Sequence, residues 1–310
     1  MLTDAGIKGL CNNIVSIETL DILGTRVTKK GIRMVLESLP SLKILYCDFP
    51  TQLLAELSGT PLERMRSSVS KIFLSSIVSD NELLELLKLK SLSELHFPCL
   101  LGNFGVTFNG GILPLLKQFG SSLTSLTISN VFECPINIRA IVENCHKLES
   151  LSLNFIWTIS TGQSEDELKP SKRMKTDPLL ENLKTLDLRY CRNLRSDDLD
   201  LLLASPALEE LTLKGIISAN DVTFQKAENI HQFRNLEYLK LHCRNVTTKV
   251  IDMLMNDANP LNKIEIFCCQ SWPREDFRNW ESTVREKSWD CVFLNLNLPL
   301  VIVVDRWSDI

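Results

Sequence analysis

A six-residue pattern, apolar-x-x-apolar-x-apolar, recurs ten times along the chain. It reads IETLDI from Ile17, LKILYC from Leu42, VSKIFL from Val69, LSELHF from Leu92 and LTSLTI from Leu123. It continues as LESLSL from Leu148, LKTLDL from Leu183, LEELTL from Leu208, LEYLKL from Leu236 and LNKIEI from Leu261. The starts lie 25, 27, 23, 31, 25, 35, 25, 28 and 25 residues apart. The last three residues of each copy alternate apolar-polar-apolar, which predicts a half-buried strand. Between copies the period becomes helical. SDDLDLLLAS puts Leu199, Leu202 and Leu203 on one helix face, with Ser196 expected as N-cap. SDNELLELL sets Ser79 and Glu82 at capping-box spacing, and TKKGIRMVLESL lines up Ile32, Val35, Leu36 and Leu39. One strand and one helix cannot bury their apolar faces alone, so neighbouring units must stack.

The spacing is that of leucine-rich repeats. The predicted fold is therefore an α/β leucine-rich-repeat solenoid (a horseshoe) of about ten repeats, with a parallel concave sheet and convex helices. Residues 1–270 form the repeats, and 271–310 form a C-terminal cap in which Trp272, Trp280 and Trp289 shield the last unit. The opening LTDAGIKGLC reads as the helix half of a unit, with Ile7, Leu10 and Cys11 buried. Its missing strand leads us to expect either residues before Met1 in a longer form or another chain covering that end. The longest spacing holds a polar insertion, Thr158 to Pro178, expected to be a disordered loop. Within it Lys172, Arg173 and Lys175 fit a short nuclear-import pattern, and Ser164 in SEDE fits an acidophilic phosphosite. A cytoplasmic and nuclear location is expected.

Composition adds mostly exclusions. The chain has 310 residues, 44% hydrophobic and 23% charged, with a formal charge of -4. That acidity argues against a nucleic-acid partner. The longest apolar run, Cys291 to Val304, is short of the ~20 residues of a membrane span and alternates like a strand. Ten cysteines follow no signal peptide and form no CxxC pair, and the four histidines do not stand at zinc-ligand spacing. Free thiols, no metal and no cofactor are expected. Nucleotide and hydrolase motifs are absent, and GNFGVTFNGG, Gly102 to Gly111, lacks the Lys-Ser/Thr of a phosphate loop, so it reads as a flexible insertion. Cys191 reads as packing, and Asp197 and Asp198 as helix-end residues. The expected class is a binding protein, not an enzyme.

LKTLDLRYCRNLRSDDLDLLL, LEYLKLHCRNVTTKVIDML, LTDAGIKGLC and IVENCHKLESLSL resemble the cysteine-containing repeats of F-box/LRR proteins. Cys191 and Cys269 occupy the consensus cysteine position, and Cys243 falls one residue early. The resemblance implies the substrate-recruiting part of a ubiquitin ligase complex. In that family a separate F-box docks Skp1, so a Skp1 and cullin link would follow only from an F-box upstream of Met1. The other reading is a scaffold or regulatory inhibitor with RanGAP-like or ribonuclease-inhibitor-like repeats and no ubiquitin link. A catalytic solenoid would need a positioned arginine that the sequence does not single out.

Outward strand positions should form columns on the concave face. One runs Asp21, Tyr46, Phe73, His96, Thr127, Ser152, Asp187, Thr212, Lys240, Glu265. The next includes Asn154, Arg189, Lys214 and His242. Tyr46, Phe73 and His96 make an aromatic cluster. Arg189, Lys214, Lys240, His242 and Lys263 make a basic patch, and Asp187 stands beside it. These residues are the expected binding site for a protein partner, one with an acidic segment. Charge reversal at Arg189 and Lys240 is expected to weaken it.

Overall fold

The computed structural model describes residues 1–14, 16–48, 53, 56, 59, 63, 69–74, 79–90, 92–97, 105–131, 134–159, 180–229, 233–255, 261–266, 274–286 and 292–295. The chain divides into two compact units, one running from Met1 to Leu148 and the other beginning at Glu149.

In the first unit every hexamer forms a strand: β1 (Thr19–Asp21), β2 (Ile44–Tyr46), β3 (Lys71–Phe73), β4 (Glu94–Phe97) and β5 (Ser125–Val131). Each pairing is parallel. The returns carry α1 (Asp4–Asn13), α2 (Lys29–Ser38), α3 (Asp80–Leu84), α4 (Leu113–Phe119) and α5 (Ile138–Asn144). Ile32, Val35, Leu36 and Leu39 are all buried, and so are Ile7 and Cys11, while Leu10 is half-buried. Ser79 caps α3, its Oγ accepting from the Glu82 amide.

The second unit repeats the plan. Its strands are β6 (Ser150–Ile156), β7 (Thr185–Arg189), β8 (Glu210–Lys214), β9 (Tyr238–His242), β10 (Lys263–Ile266) and β11 (Val292–Asn295). They pair in parallel, in chain order, without a register break. The helices are α6 (Ser196–Leu202), α7 (Asp221–Asn229), α8 (Thr248–Leu254) and α9 (Arg274–Glu286). The predicted cap thus contains one more helix and strand of the repeat, and β11 lies within the alternating run read from the sequence. Trp280 on α9 is buried and donates Nε1–H to Asp252 Oδ1 at 2.7 Å. Trp272, Trp289 and the insertion residues Ser164, Lys172, Arg173 and Lys175 lie outside the described residues.

Among the described residues one contact couples successive helices three times. The aspartate that opens a helix accepts from both the amide and the hydroxyl of the threonine that caps the next. Asp4 holds Thr28 at 2.7 and 2.6 Å, Asp80 holds Thr107 at 2.7 and 2.7 Å, and Asp221 holds Thr247 at 2.8 and 2.6 Å. Each threonine hydroxyl in turn accepts from an amide of its own helix. The threonine therefore caps its own helix and docks it on the previous one. This explains the glycine pair in GNFGVTFNGG. Residues Phe108–Ile112 are the first turn of a helix that continues into α4, not a loop. A Cβ on Gly110 or Gly111 would lie 2.2 or 2.4 Å from the Asp80 carboxylate.

A second local expectation fails. The N-cap of α6 is Arg195 rather than Ser196. The Leu199 amide bonds the Arg195 carbonyl, which draws Ser196 into the first turn.

The cysteines pack. Six are described, all free and buried. The Cys191 thiol points at the Leu153 carbonyl of the preceding strand at 3.1 Å, and burial pushes it up to about 12. Cys243, one residue early by consensus, makes the same contact with the Leu213 carbonyl at 3.4 Å. Such thiols are small fillers with a weak donor, not nucleophiles.

Candidate functional site

Outward residues of the strands stand on the helix-free face of each unit. In the first unit Phe73, His96 and Thr127 lie opposite one another, and Asp21 lies opposite Tyr46. Between β2 and β3 the ladder slips by two residues, because Asp48, not Tyr46, bridges Phe73. A slip of two keeps every side chain on its face. Tyr46 is therefore level with Lys71, whose Nζ sits 5.4 Å above its ring. The three predicted aromatics still meet. The Tyr46 and Phe73 rings are 6.3 Å apart and tilted, and Phe73 stacks on His96 at 4.3 Å. Lys71 pairs with Glu94 at 2.5 Å. The His96 ring has Nδ1 2.9 Å from Thr127 Oγ1 and Nε2 3.6 Å from Glu94. Burial lowers the His96 pKa below its ordinary value, and Glu94 opposes that shift only in part.

In the second unit the predicted columns stand in register. Asn154, Arg189, Lys214 and His242 form one row, and Ser152, Asp187, Thr212, Lys240 and Glu265 form the other. Strand position alone overstated the positive charge available there. Arg189 grips Asp187 two residues back, through Nε at 2.8 Å and a second nitrogen at 2.8 Å. Lys240 and Lys263 each reach a Glu265 oxygen at 2.6 Å. Glu265 is buried, which alone would raise its pKa. Hydrogen bonds from Lys240, Lys263 and Tyr238 outweigh burial and lower it to about 2. The Tyr238 hydroxyl is shifted upward, by burial and by Glu265. Lys214 joins none of the ion pairs among the described residues and sits 5.2 Å above the Tyr190 ring. Burial, Lys214 and Arg244 hold the His242 pKa below its ordinary value.

The sequence reading missed the residues just past these columns. Phe155 and Tyr190 follow Asn154 and Arg189, where strict alternation would send them inward. Both are instead left-handed, with φ of 55° and 53°. The flip lets the next residues, Ile156 and Cys191, enter the core and turns the rings outward, stacked at 4.9 Å. Gly215, at φ 66°, holds the corresponding position after β8. A signal was present: the consensus cysteine position is three residues beyond the last strand leucine, which a period of two cannot reach without a flip.

Among the described residues no cluster of His, Cys, Asp or Glu could hold a metal ion, and no helix is long and apolar enough to cross a membrane.

No family model matches the chain, and no curated protein matches it in sequence. The chain is similar in structure to one from the crystal structure of the Rad7 and Elc1 complex in yeast. The TM-score is 0.56 and the identity 18%, over 88% of this chain and 75% of that one. The likeness bears on the fold, which is that of a leucine-rich-repeat solenoid.

Proposed function

We propose that this chain is a non-enzymatic protein-recognition module that holds a partner protein on the helix-free face of its sheet, as the substrate-recruiting part of a ubiquitin ligase complex. The observation that carries the recognition reading is the registered display of unlike side chains on that face. Asn154, Arg189, Lys214 and His242 form one continuous row, and Phe73 and His96 stack in the first unit. Aromatic and arginine side chains anchor protein interfaces. The ligase part rests on the repeat resemblance, and the structurally similar chain was solved in a two-protein complex. The module acts in the cytoplasm and nucleus, with Lys172, Arg173 and Lys175 as the import signal.

A photo-cross-linking residue at Ser152 on the helix-free face, or at Lys249 on α8, tests the surface. Partner adducts are expected from position 152. Adducts from position 249 alone would move the partner to the helices. Affinity purification scored for Skp1 and cullin tests the ligase reading; a stable partner recovered without either removes it. Deleting Lys172 to Lys175 should shift a tagged chain out of the nucleus, and an unchanged distribution refutes the signal.

A further inference from the structure

The strand ends of β6, β7 and β8 carry a surface that shares only Lys214 with the columns. We infer that Phe155, Trp157, Tyr190, Arg192, Lys214 and Ile217 form a docking shelf for an acidic protein segment that carries an apolar anchor residue. The inference rests on the protein-recognition reading and not on any link to ubiquitin.

Three independent observations converge on this edge. The first is backbone strain. A left-handed φ is uncommon for any residue with a Cβ and an outlier for a bulky one. Here two successive repeats place aromatic residues in that conformation, where Asn130 and Gly215 occupy it elsewhere. The ladder fixes the conformation, since the Tyr190 amide donates to the Lys214 carbonyl at 2.6 Å and the Gly215 amide to the His242 carbonyl at 2.8 Å. The fold therefore holds Phe155 and Tyr190 outward at a cost that asparagine or glycine would avoid. Strain of this kind concentrates at functional positions.

The second is exposed apolar surface. Among the described residues six large hydrophobic side chains are exposed, and three of them are here: Phe155 at 42%, Trp157 at 40% and Ile217 at 76%. Trp157, Arg192 and Ile217 each stand two residues past the left-handed position of their repeat. Phe155 stacks on Tyr190, and Arg192 lies over the Trp157 ring at 4.0 Å.

The third is charge. Among the described residues the ion pairs of this unit engage Lys184, Arg189, Arg195, Lys226, Lys240 and Lys263. Arg192 and Lys214 take part in none of them and lie instead on the aromatic rings. A cation over a ring keeps its charge available to a further anion. The shelf thus offers positive charge beside exposed apolar area, and the complementary ligand is acidic with an aliphatic or aromatic side chain among its acids. Single-stranded RNA fits less well. Phe155 and Tyr190 stack on each other and Trp157 is faced by Arg192, so less ring face remains for bases.

Peptide display against the full chain tests the assignment. The expected winners carry several Asp or Glu residues around a Leu, Ile, Phe or Trp. Measured by fluorescence anisotropy, a labelled winner should lose at least about tenfold in affinity to Arg192→Glu/Lys214→Glu, and as much to Phe155→Asn/Tyr190→Gly. The second variant relieves the strained backbone, so its melting temperature should hold within ~2 °C. Winners without acids, no winners, or winners that bind both variants normally would overturn the shelf. So would a labelled oligouridine that binds the wild type and fails on the same variants, because the ligand would then be RNA. A peptide of residues 162–170 that binds there in trans would make the occupant the chain's own insertion and overturn the separate partner. If position 152 still cross-links a partner while the shelf variants bind normally, the recognition reading stands and only the shelf falls.

Discussion

The body of the second unit's helix-free face and its strand-end edge are built from similar residue types and treat them in opposite ways. In the body, Arg189 is closed onto Asp187, and Lys240 and Lys263 onto a buried Glu265. At the edge, Arg192 and Lys214 rest on rings, and Phe155 and Tyr190 are held outward in a conformation that disfavours them. The body uses charge to fix the sheet. The edge leaves charge and apolar surface to be used by something else. A count of basic residues cannot separate the two, because the difference lies in where the nearest carboxylate stands.

The largest expected effect probes whether the edge is as firmly held as the body. With its thiol at about 12, Cys191 beside Tyr190 should react with iodoacetamide at pH 8 roughly a thousandfold slower than an unperturbed cysteine. Mass spectrometry of the alkylated native protein checks this. Rapid labelling would mean that the strand end opens and that its strain is not maintained.

Breaking the body should be costly. Glu265→Gln leaves two lysines crowded around a neutral amide, and urea denaturation should show a loss of about 3 kcal/mol. The same contribution has a pH signature. The folded pKa of about 2 lies below the ordinary 4.5, so the stabilisation is complete above that ordinary value. It should fade as pH falls toward 2, and the Gln variant should lack that part of the acid dependence.

A smaller effect belongs to the helix side. Asp221→Ala removes both hydrogen bonds to Thr247 and should cost about 1–2 kcal/mol by the same denaturation, without touching either face of the comparison. The smallest is at the edge itself. Tyr190→Gly gives up a ring stack worth about 1 kcal/mol and removes a left-handed Cβ that costs about the same, so stability should change by less than ~0.5 kcal/mol.

Much of this architecture was legible in the chain. Hexamers such as LKTLDL carry both strand position and facing, because alternation and burial are local. The columns of the second unit follow from equal hexamer phasing, which the ladder reproduces residue for residue. Four features were not legible. The slip that sets Asp48 against Phe73 depends on how two repeats meet, which no single hexamer encodes. The pairing of Lys240 and Lys263 with Glu265 needs a distance, not a sequence position. The outward turn of Phe155 and Tyr190 breaks the period on which the reading depended, and it does so where the edge departs most from the body. The Asp–Thr couplings recur at 24, 27 and 26 residues, and that variation hides them among many other Asp and Thr pairs.

The most direct test of the account sets the two regions against each other. Lys240→Met removes a cation from the body and leaves Glu265 with Lys263, whereas Lys214→Glu reverses a cation of the edge. Isothermal titration of a display-selected acidic peptide should show at least about tenfold weaker binding to Lys214→Glu and nearly unchanged binding to Lys240→Met. The reverse order would place the acidic peptide on the body and contradict the assignment of the edge as its docking shelf.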